Sequence, residues 1–349
     1  MTKASIATLA LCLACSSAGT DIEDTDGGAV EDASAVDQWV TPDASPGSRT
    51  SLPIPASSIV AVQSAGGIDI DSALLGDSTL VFEHYADENL SSGTLMSVVV
   101  EANGFSAPKP MLLGSANLYG GPSAVGAHLY YVEAAWLTSA GKLFRRTSAA
   151  PETVQMPEPF ALISWPQVRE LNDGTFVVAY RDMQSVVKLA FSADGLAFGS
   201  PVELGPPGAM AKVAQMADDT LVFSYQKEVA PMLSYYRLSG HQKQWTEPAL
   251  VTESSPNVHD TNPYRRADGR IDLYYIYPID PIGFSLWRRC VKPDGSLGPE
   301  EQVVETTWGN LAKPHAHRLP SGATLLTFVD QNQGHRLSAT TIVGDASCP

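Results

Sequence analysis

The side chains of this sequence that could do chemistry share one setting. Each lies just ahead of a short run of β-branched and aromatic residues. Asp69 and Asp71 precede the run 77–82, Tyr119 precedes 126–131, Trp165 precedes 173–178 and Lys212 precedes 218–223. His259 and Asp260 precede 268–273, and Lys313 with His315 precedes 322–327. His259-Asp260-Thr261-Asn262 is the most polar of these stretches. It reads as a binding or acid–base group in which His259 orients Asp260, or as an Asx turn that satisfies its own backbone. Asp71 paired with Asp260 across a shared cleft would suit glycoside hydrolysis, where two carboxylates act as acid and as base or nucleophile. The alternative for both is a solvated loop acid. Trp165 and Tyr119 would suit stacking on a sugar ring, since an aromatic face gives contact area at little entropic cost. Packing between sheets is the alternative use of such rings.

Other patterns are weaker. His315-Ala316-His317 puts two imidazoles on one face of a strand, but no third ligand stands in register, so no metal is expected. There is no glycine-rich phosphate loop and no Gly-x-Ser-x-Gly elbow, and no cofactor is expected. Salt bridges with the many acids account for most of Arg169, Arg181, Arg265, Arg266 and Arg318. Arg181 follows Tyr180 at a strand end and could point toward a binding rim. The formal net charge of −16 argues against nucleic acid, whose phosphates need a basic footprint. It suits a soluble, exported, acidic protein, with a monomer expected.

The runs themselves recur. Each has a turn signal, then Thr or a β-branched residue, then an aliphatic or aromatic strand. Their third residues are 79, 128, 175, 220, 270 and 324, with spacings of 49, 47, 45, 50 and 54. A second turn signal, Gly followed by an apolar residue and Pro, comes about 20 to 25 residues later in most copies, as in Asn103-Gly104-Phe105-Ser106-Ala107-Pro108 and Asp294-Gly295-Ser296-Leu297-Gly298-Pro299. Two turn signals in fewer than about 55 residues divide each copy into four strands. That is the signature of an all-β, six-bladed β-propeller filling 51–349. The blades fall at about 51–111, 112–157, 158–204, 205–250, 251–303 and 304–349. A pair of β-sandwiches would show no such period.

The N-terminus reads differently. Residues 6–14 are apolar over the length of a signal-peptide core and too short to span a membrane. Leu11-Cys12-Leu13-Ala14-Cys15 resembles a bacterial lipoprotein signal, which would make 1–14 the signal and Cys15 the lipidated residue. An ordinary signal peptide is the alternative. Residues 15–50 read as a disordered acidic tether: 21–43 hold eight acidic residues and no Lys or Arg, too polar to offset the entropy of ordering. The membrane is then a partner only through the lipid, with the body held in the cell envelope on the outer membrane, or extracellular. Cys290 and Cys348 remain as an even pair in an exported chain, either as a disulfide pinning the tail or as two thiols.

Three stretches carry a resemblance to the sialidase-like propeller superfamily. Ser192-Ala193-Asp194-Gly195-Leu196-Ala197-Phe198 resembles an Asp-box, the turn between outer strands of a blade. Asn262-Pro263-Tyr264-Arg265-Arg266-Ala267-Asp268-Gly269-Arg270-Ile271 and Lys313-Pro314-His315-Ala316-His317-Arg318 resemble blade openings. A sialidase site implies three arginines on a carboxylate, a Tyr nucleophile beside a Glu, and an Asp as acid–base. Residues 51–71 hold no Arg for the first-blade clamp, and 304–349 hold no Tyr. The resemblance therefore implies a funnel, lined by Asp69, Tyr119, Trp165, Arg181, Lys212, His259, Lys313 and His315, that binds a carbohydrate or other surface ligand. A divergent glycoside hydrolase using Asp71 and Asp260, and a protein-interaction scaffold, are the other two readings.

Overall fold

The computed structural model describes residues 52–54, 59–62, 67–86, 93–101, 104–112, 118–136, 139–147, 150–227, 233–239, 244–253, 258–279, 283–304, 309–331, 334–342 and 348. The expected signal segment, Cys15 and the tether lie outside the described residues. The described chain is built of strands, with one short 3-10 turn at Leu162–Ser164.

Strand β1 is Val60–Ala61. An antiparallel meander follows, of β2 (Ile68–Leu75), β3 (Thr79–Tyr85) and β4 (Gly93–Glu101), with β5 (Gly104–Phe105) and β6 (Lys109–Leu112) both on β4. The next is β7 (Leu118–Val125), β8 (His128–Ala134), β9 (Lys142–Arg146) and β10 (Glu152–Thr153). Then β11 (Gln167–Glu170), β12 (Phe176–Arg181) and β13 (Val186–Ser192) lead into the long β14 (Val202–Gln215). The first part of β14 pairs with β13, and its second part with β15 (Leu221–Lys227). That sheet ends with β16 (Ser234–Ser239) and β17 (Ala249–Leu250). Another meander is β18 (His259–Arg265), β19 (Ile271–Ile279), β20 (Gly283–Val291) and β21 (Glu301–Gln302). The last is β22 (Gly309–Arg318), β23 (Thr324–Asp330) and β24 (Arg336–Ile342).

The first strand of each meander lies beside that of the next: β2 against β7, β7 against β11, β11 against β14, β14 against β18, β18 against β22, and β22 against β2. Strand β1 does not join the meander that follows it. It pairs with β24, Val60 opposite Ala339 and Ala61 opposite Ser338, and the Ile54 amide donates to the Val303 carbonyl at 2.8 Å. Residues expected to open the first blade thus form the outer edge of the last meander. The reason is physical: β24 would otherwise present unpaired N–H and C=O groups along an open edge.

The hairpin turns account for the Asp-Gly repeat. In each, an Asp carboxylate accepts the amide two residues on: Thr175 to Asp173 at 3.0 Å, Thr220 to Asp218 at 3.1 Å, Arg270 to Asp268 at 3.0 Å and Ser296 to Asp294 at 2.9 Å. This is the Asx turn that favours Asp there. Gly174, with φ of 80°, supplies the left-handed residue the turn needs. The stretch 192–198 forms the same kind of knot: Ser192 Oγ bonds Asp194 Oδ1 at 2.9 Å, and Asp194 Oδ1 accepts the Leu196 and Ala197 amides at 2.8 and 3.1 Å.

The strand runs are apolar at consecutive positions because both faces are buried. Val222 packs with Leu273 and Tyr275 on one side, while its neighbour Phe223 packs with Val177 and Leu189 on the other. Leu325 joins Leu80 and Phe82, whereas Leu326 joins Tyr274 and Ile276. Alternation sends successive side chains to opposite faces, so each central strand feeds two cores. Cys290 and Cys348 form a disulfide with Cα atoms 5.5 Å apart. It ties the C-terminal tail back to β20.

Candidate functional site

The first strands of the meanders carry one shared irregularity. The pairing register shifts between Asp69 and Ser72 in β2, Gly120 and Ser123 in β7, Ala209 and Lys212 in β14, His259 and Asn262 in β18, and Ala312 and His315 in β22. In four of these bulges a residue stands at positive φ: Gly121 at 58°, Met210 at 53°, Asp260 at 52° and Lys313 at 51°. Trp165, at 40°, occupies the same place just ahead of β11. Left-handed backbone costs a non-glycine residue about 1–3 kcal/mol and gathers at sites that over-determine it. Two residues past each such position stands a buried polar side chain: Ser123, Gln167, Lys212, Asn262 and His315, with Ser72 in β2 completing the ring. These groups lace neighbouring meanders together. Ser123 Oγ accepts the Val168 amide at 3.1 Å, and Gln167 Oε1 accepts the Val213 amide at 2.9 Å.

The expected site residues divide between this ring and the structure around it. Asp71, Lys212 and His315 form a buried triad. Asp71 Oδ2 meets Lys212 Nζ at 3.4 Å, and Asp71 Oδ1 receives His315 Nε2 in a short hydrogen bond. Asn262 Nδ2 lies 2.7 Å from His315 Nδ1, on the other side of the ring from Asp71. Burial opposes the charge on Asp71, but His315 and Lys212 together hold its carboxyl well below the usual carboxylate range. Burial likewise lowers Lys212 and His315.

A second group gathers at the starts of these strands. Lys313 Nζ lies 3.4 Å from Asp260 Oδ1, 2.9 Å from Met210 Sδ and 4.1 Å from the centroid of the Trp165 ring. The Lys313 amide donates to Asp260 Oδ2 at 3.1 Å. His259 Nδ1 is 3.1 Å from Gln226 Nε2, and its ring stands edge-on to Phe284 at 5.1 Å. Burial raises and Lys313 lowers the Asp260 pKa, with a net depression. His259 is lowered by burial. Asp260 and Lys313 keep 12 and 17% of their side-chain surface, so this group reaches solvent where Asp71, at 3%, does not.

The remaining candidates serve elsewhere. Asp69 bonds His84 Nδ1 and the Leu337 amide, each at 2.9 Å, binding the first meander to the last. Tyr119 packs edge-on to Tyr131 at 6.1 Å. Arg181 sits on β12, one strand out from the ring, opposite Val187. Trp165 is 6% exposed, with its ring under Lys313, and is no open platform for a sugar. His315 and His317 do share a strand face, their rings parallel within 9° and 6.2 Å apart. Among the described residues no three His, Cys, Asp or Glu side chains gather as a metal set.

The sequence reading missed one residue here and named a second only among the arginines set against the many acids. Glu83, on β3, is fully buried. Its Oε2 accepts the Trp165 indole N–H at 3.1 Å and the Gly121 amide at 3.2 Å, and Tyr85 donates a short hydrogen bond to Oε1. Burial, with the Asp71 charge adding to it, pushes Glu83 up to about 7. A lone carboxylate in Leu80-Val81-Phe82-Glu83-His84-Tyr85 was the available signal. Gly120 is required beside it, since a Cβ there would fall 2.3 Å from Glu83 Oε1. The second is Arg169. Arg266 pairs with Asp268 at 2.8 Å as expected of the arginines, but Arg169 forms no ion pair or hydrogen bond among the described residues, and the Asp71 carboxylate supports its charge only through space.

No family model and no curated protein matches the chain. Among solved structures, a protein of unknown function from Dyadobacter fermentans DSM 18053 aligns with TM-score 0.64 at 16% identity, over 82% of this chain and 98% of that one. The Hadza microbial sialidase Hz136 aligns with TM-score 0.53 at 10% identity, over 81% of this chain and 68% of that one. A mutant Trypanosoma rangeli sialidase displaying trans-sialidase activity aligns with TM-score 0.52 at 14% identity, over 86% and 59%. At these identities the likeness is one of fold: an all-β, propeller-like arrangement of antiparallel sheets.

Proposed function

We propose that the chain is an exported, lipid-anchored, six-bladed propeller that binds a carbohydrate at the mouth formed by the starts of its inner strands. The circuit of neighbouring first strands and the closing β1–β24 pair support the six-blade reading. The observation that carries the binding reading is the partly exposed group Asp260, Lys313 and His259, walled by Trp165 and Phe284. An ionised carboxylate accepts from sugar hydroxyls, an ammonium donates to them, and charge-assisted bonds of this kind are the strong ones. The sialidase fold of two neighbours agrees with a carbohydrate ligand. Export and anchoring rest on the N-terminal sequence alone.

A hydrolytic reading draws on Glu83 and Asp71, two carboxyls whose environments push their pKa values apart, as an acid and a base require. Against it, both are enclosed, and their oxygens are occupied by Tyr85, Trp165, Gly121, His315 and Lys212. Binding by Asp260 is the stronger reading. The test incubates the full chain with a broad glycan panel and records retention and release of new sugar ends. Retention without release, lost in Asp260→Asn, is the expected result. Release from any glycan would make the protein a hydrolase, and no retention on any glycan would sink the carbohydrate reading.

A further inference from the structure

A polar cavity of the ring lies away from that mouth. It lies past the bulges, along the second halves of the first strands, with a volume of about 290 Å³, near the lower end of ligand pockets. It opens beside the exposed side chains of Glu170, Arg265 and Arg318. Its wall holds four cationic side chains, Arg169, Lys212, Arg265 and Arg318, against one carboxylate, Glu170. Lys212 is held by Asp71 at 3.4 Å, and Arg265 donates to Asn172 at 2.6 Å. Arg169 and Arg318 have neither ion pair nor hydrogen bond among the described residues. This excess of positive charge sits inside a chain of net charge −16.

We propose that this cavity binds a small oxyanion, with the Arg169 guanidinium as its principal donor and Arg318 at its mouth. A half-buried guanidinium that forms no ion pair of its own is costly unless oxygens are supplied to it. Burial brings the Arg169 pKa down to about 10, although the Asp71 carboxylate works in the other direction. The planar fork offers parallel donors that match a carboxylate or a phosphate in bidentate fashion. Its surroundings add donors: Gln167 uses Oε1 on the Val213 amide, leaving its NH₂ for a ligand. The cavity accommodates a ligand of monosaccharide size or smaller. The shared chemistry is an oxyanion, which an acidic sugar or free phosphate would each present.

The test titrates the full chain calorimetrically with inorganic phosphate, glucuronate and uncharged glucose, at low and at 0.3 M salt, the latter screening exposed charges to within a few ångströms, roughly. Phosphate or glucuronate should bind and glucose should not. Arg169→Gln should weaken the anion at least about tenfold, with Arg169→Lys intermediate because it keeps the charge without the fork. Arg318→Ala, at an exposed position that leaves the fold undisturbed, should weaken it by roughly threefold and reduce the salt dependence. Asp260→Asn should leave anion binding unchanged, so failure here and failure of the carbohydrate mouth are separable. Binding of neither anion, or equal binding by folded Arg169→Gln and Arg318→Ala variants, would overturn the proposal.

Discussion

Replacing Glu83 with glutamine should abolish a loss of stability that the native protein suffers between pH 5 and pH 8. The Glu83 carboxyl is raised from 4.5 to about 7, chiefly by burial. A raised acid favours its protonated form in the folded state. Its contribution is therefore complete below about pH 4.5, shrinks as the unfolded chain begins to lose its proton, and is gone once the pH passes through 7. The interval from 4.5 to about 7, at about 1.36 kcal/mol per pH unit, amounts to about 3 kcal/mol. The amide is a stand-in for the protonated acid. Its oxygen can accept from Gly121 and Trp165 as Glu83 Oε2 does, and its NH₂ can donate to the Tyr85 oxygen. The assay is a pair of melting curves for native and Glu83→Gln protein at half-unit steps of pH. The variant should melt close to the native protein at pH 5 and about 5 °C above it at pH 8, at roughly 2 °C per kcal/mol for a chain of this size. Other acids affect both proteins alike, so only the difference matters. Curves running parallel from pH 5 to pH 8 would show that Glu83 is already ionised in the fold.

Further tests address the packing around this group and the closure of the chain. Gly120→Ala should cost about 1–3 kcal/mol by overpacking, because its Cβ would meet Glu83 Oε1 at 2.3 Å. In a Glu83→Ala background that cost should largely disappear, and a double-mutant cycle of chemical denaturation curves would measure the coupling. Cys348→Ser should lower the unfolding free energy by about 4 kcal/mol in the chain-entropy account, given a loop of 58 residues. Reduction of the native protein should match it, and no change on either treatment would mean that the tail adds nothing. Phe223→Ala, fully buried between two meanders, should cost about 3–5 kcal/mol by urea titration.

The sequence by itself determined the strands and their period. An Asp that bonds the amide two residues on, followed by glycine at positive φ, is local chemistry, and it reads the same at Asp173, Asp268 and Asp294 wherever the chain goes next. The consecutive apolar residues of 176–180 were equally legible as a strand, and burial on both faces explains why they do not alternate. The sequence also pointed to the starts of the first strands, so Asp71, Lys212 and His315 were named before they met. Only the tertiary structure decided what each one does. Asp71 and Asp260 look alike in sequence, yet one is locked behind His315 and Lys212 while the other reaches solvent beside Lys313. Trp165 looked like a sugar platform until the Lys313 ammonium was found over its face. Glu83, Arg169 and the β1–β24 closure depend on partners 82, 98 or nearly 280 positions away in the numbering, as Trp165 is from Glu83, Asp71 from Arg169 and Ala339 from Val60. Charge and burial are properties of the assembled ring, and no window of the chain contains them.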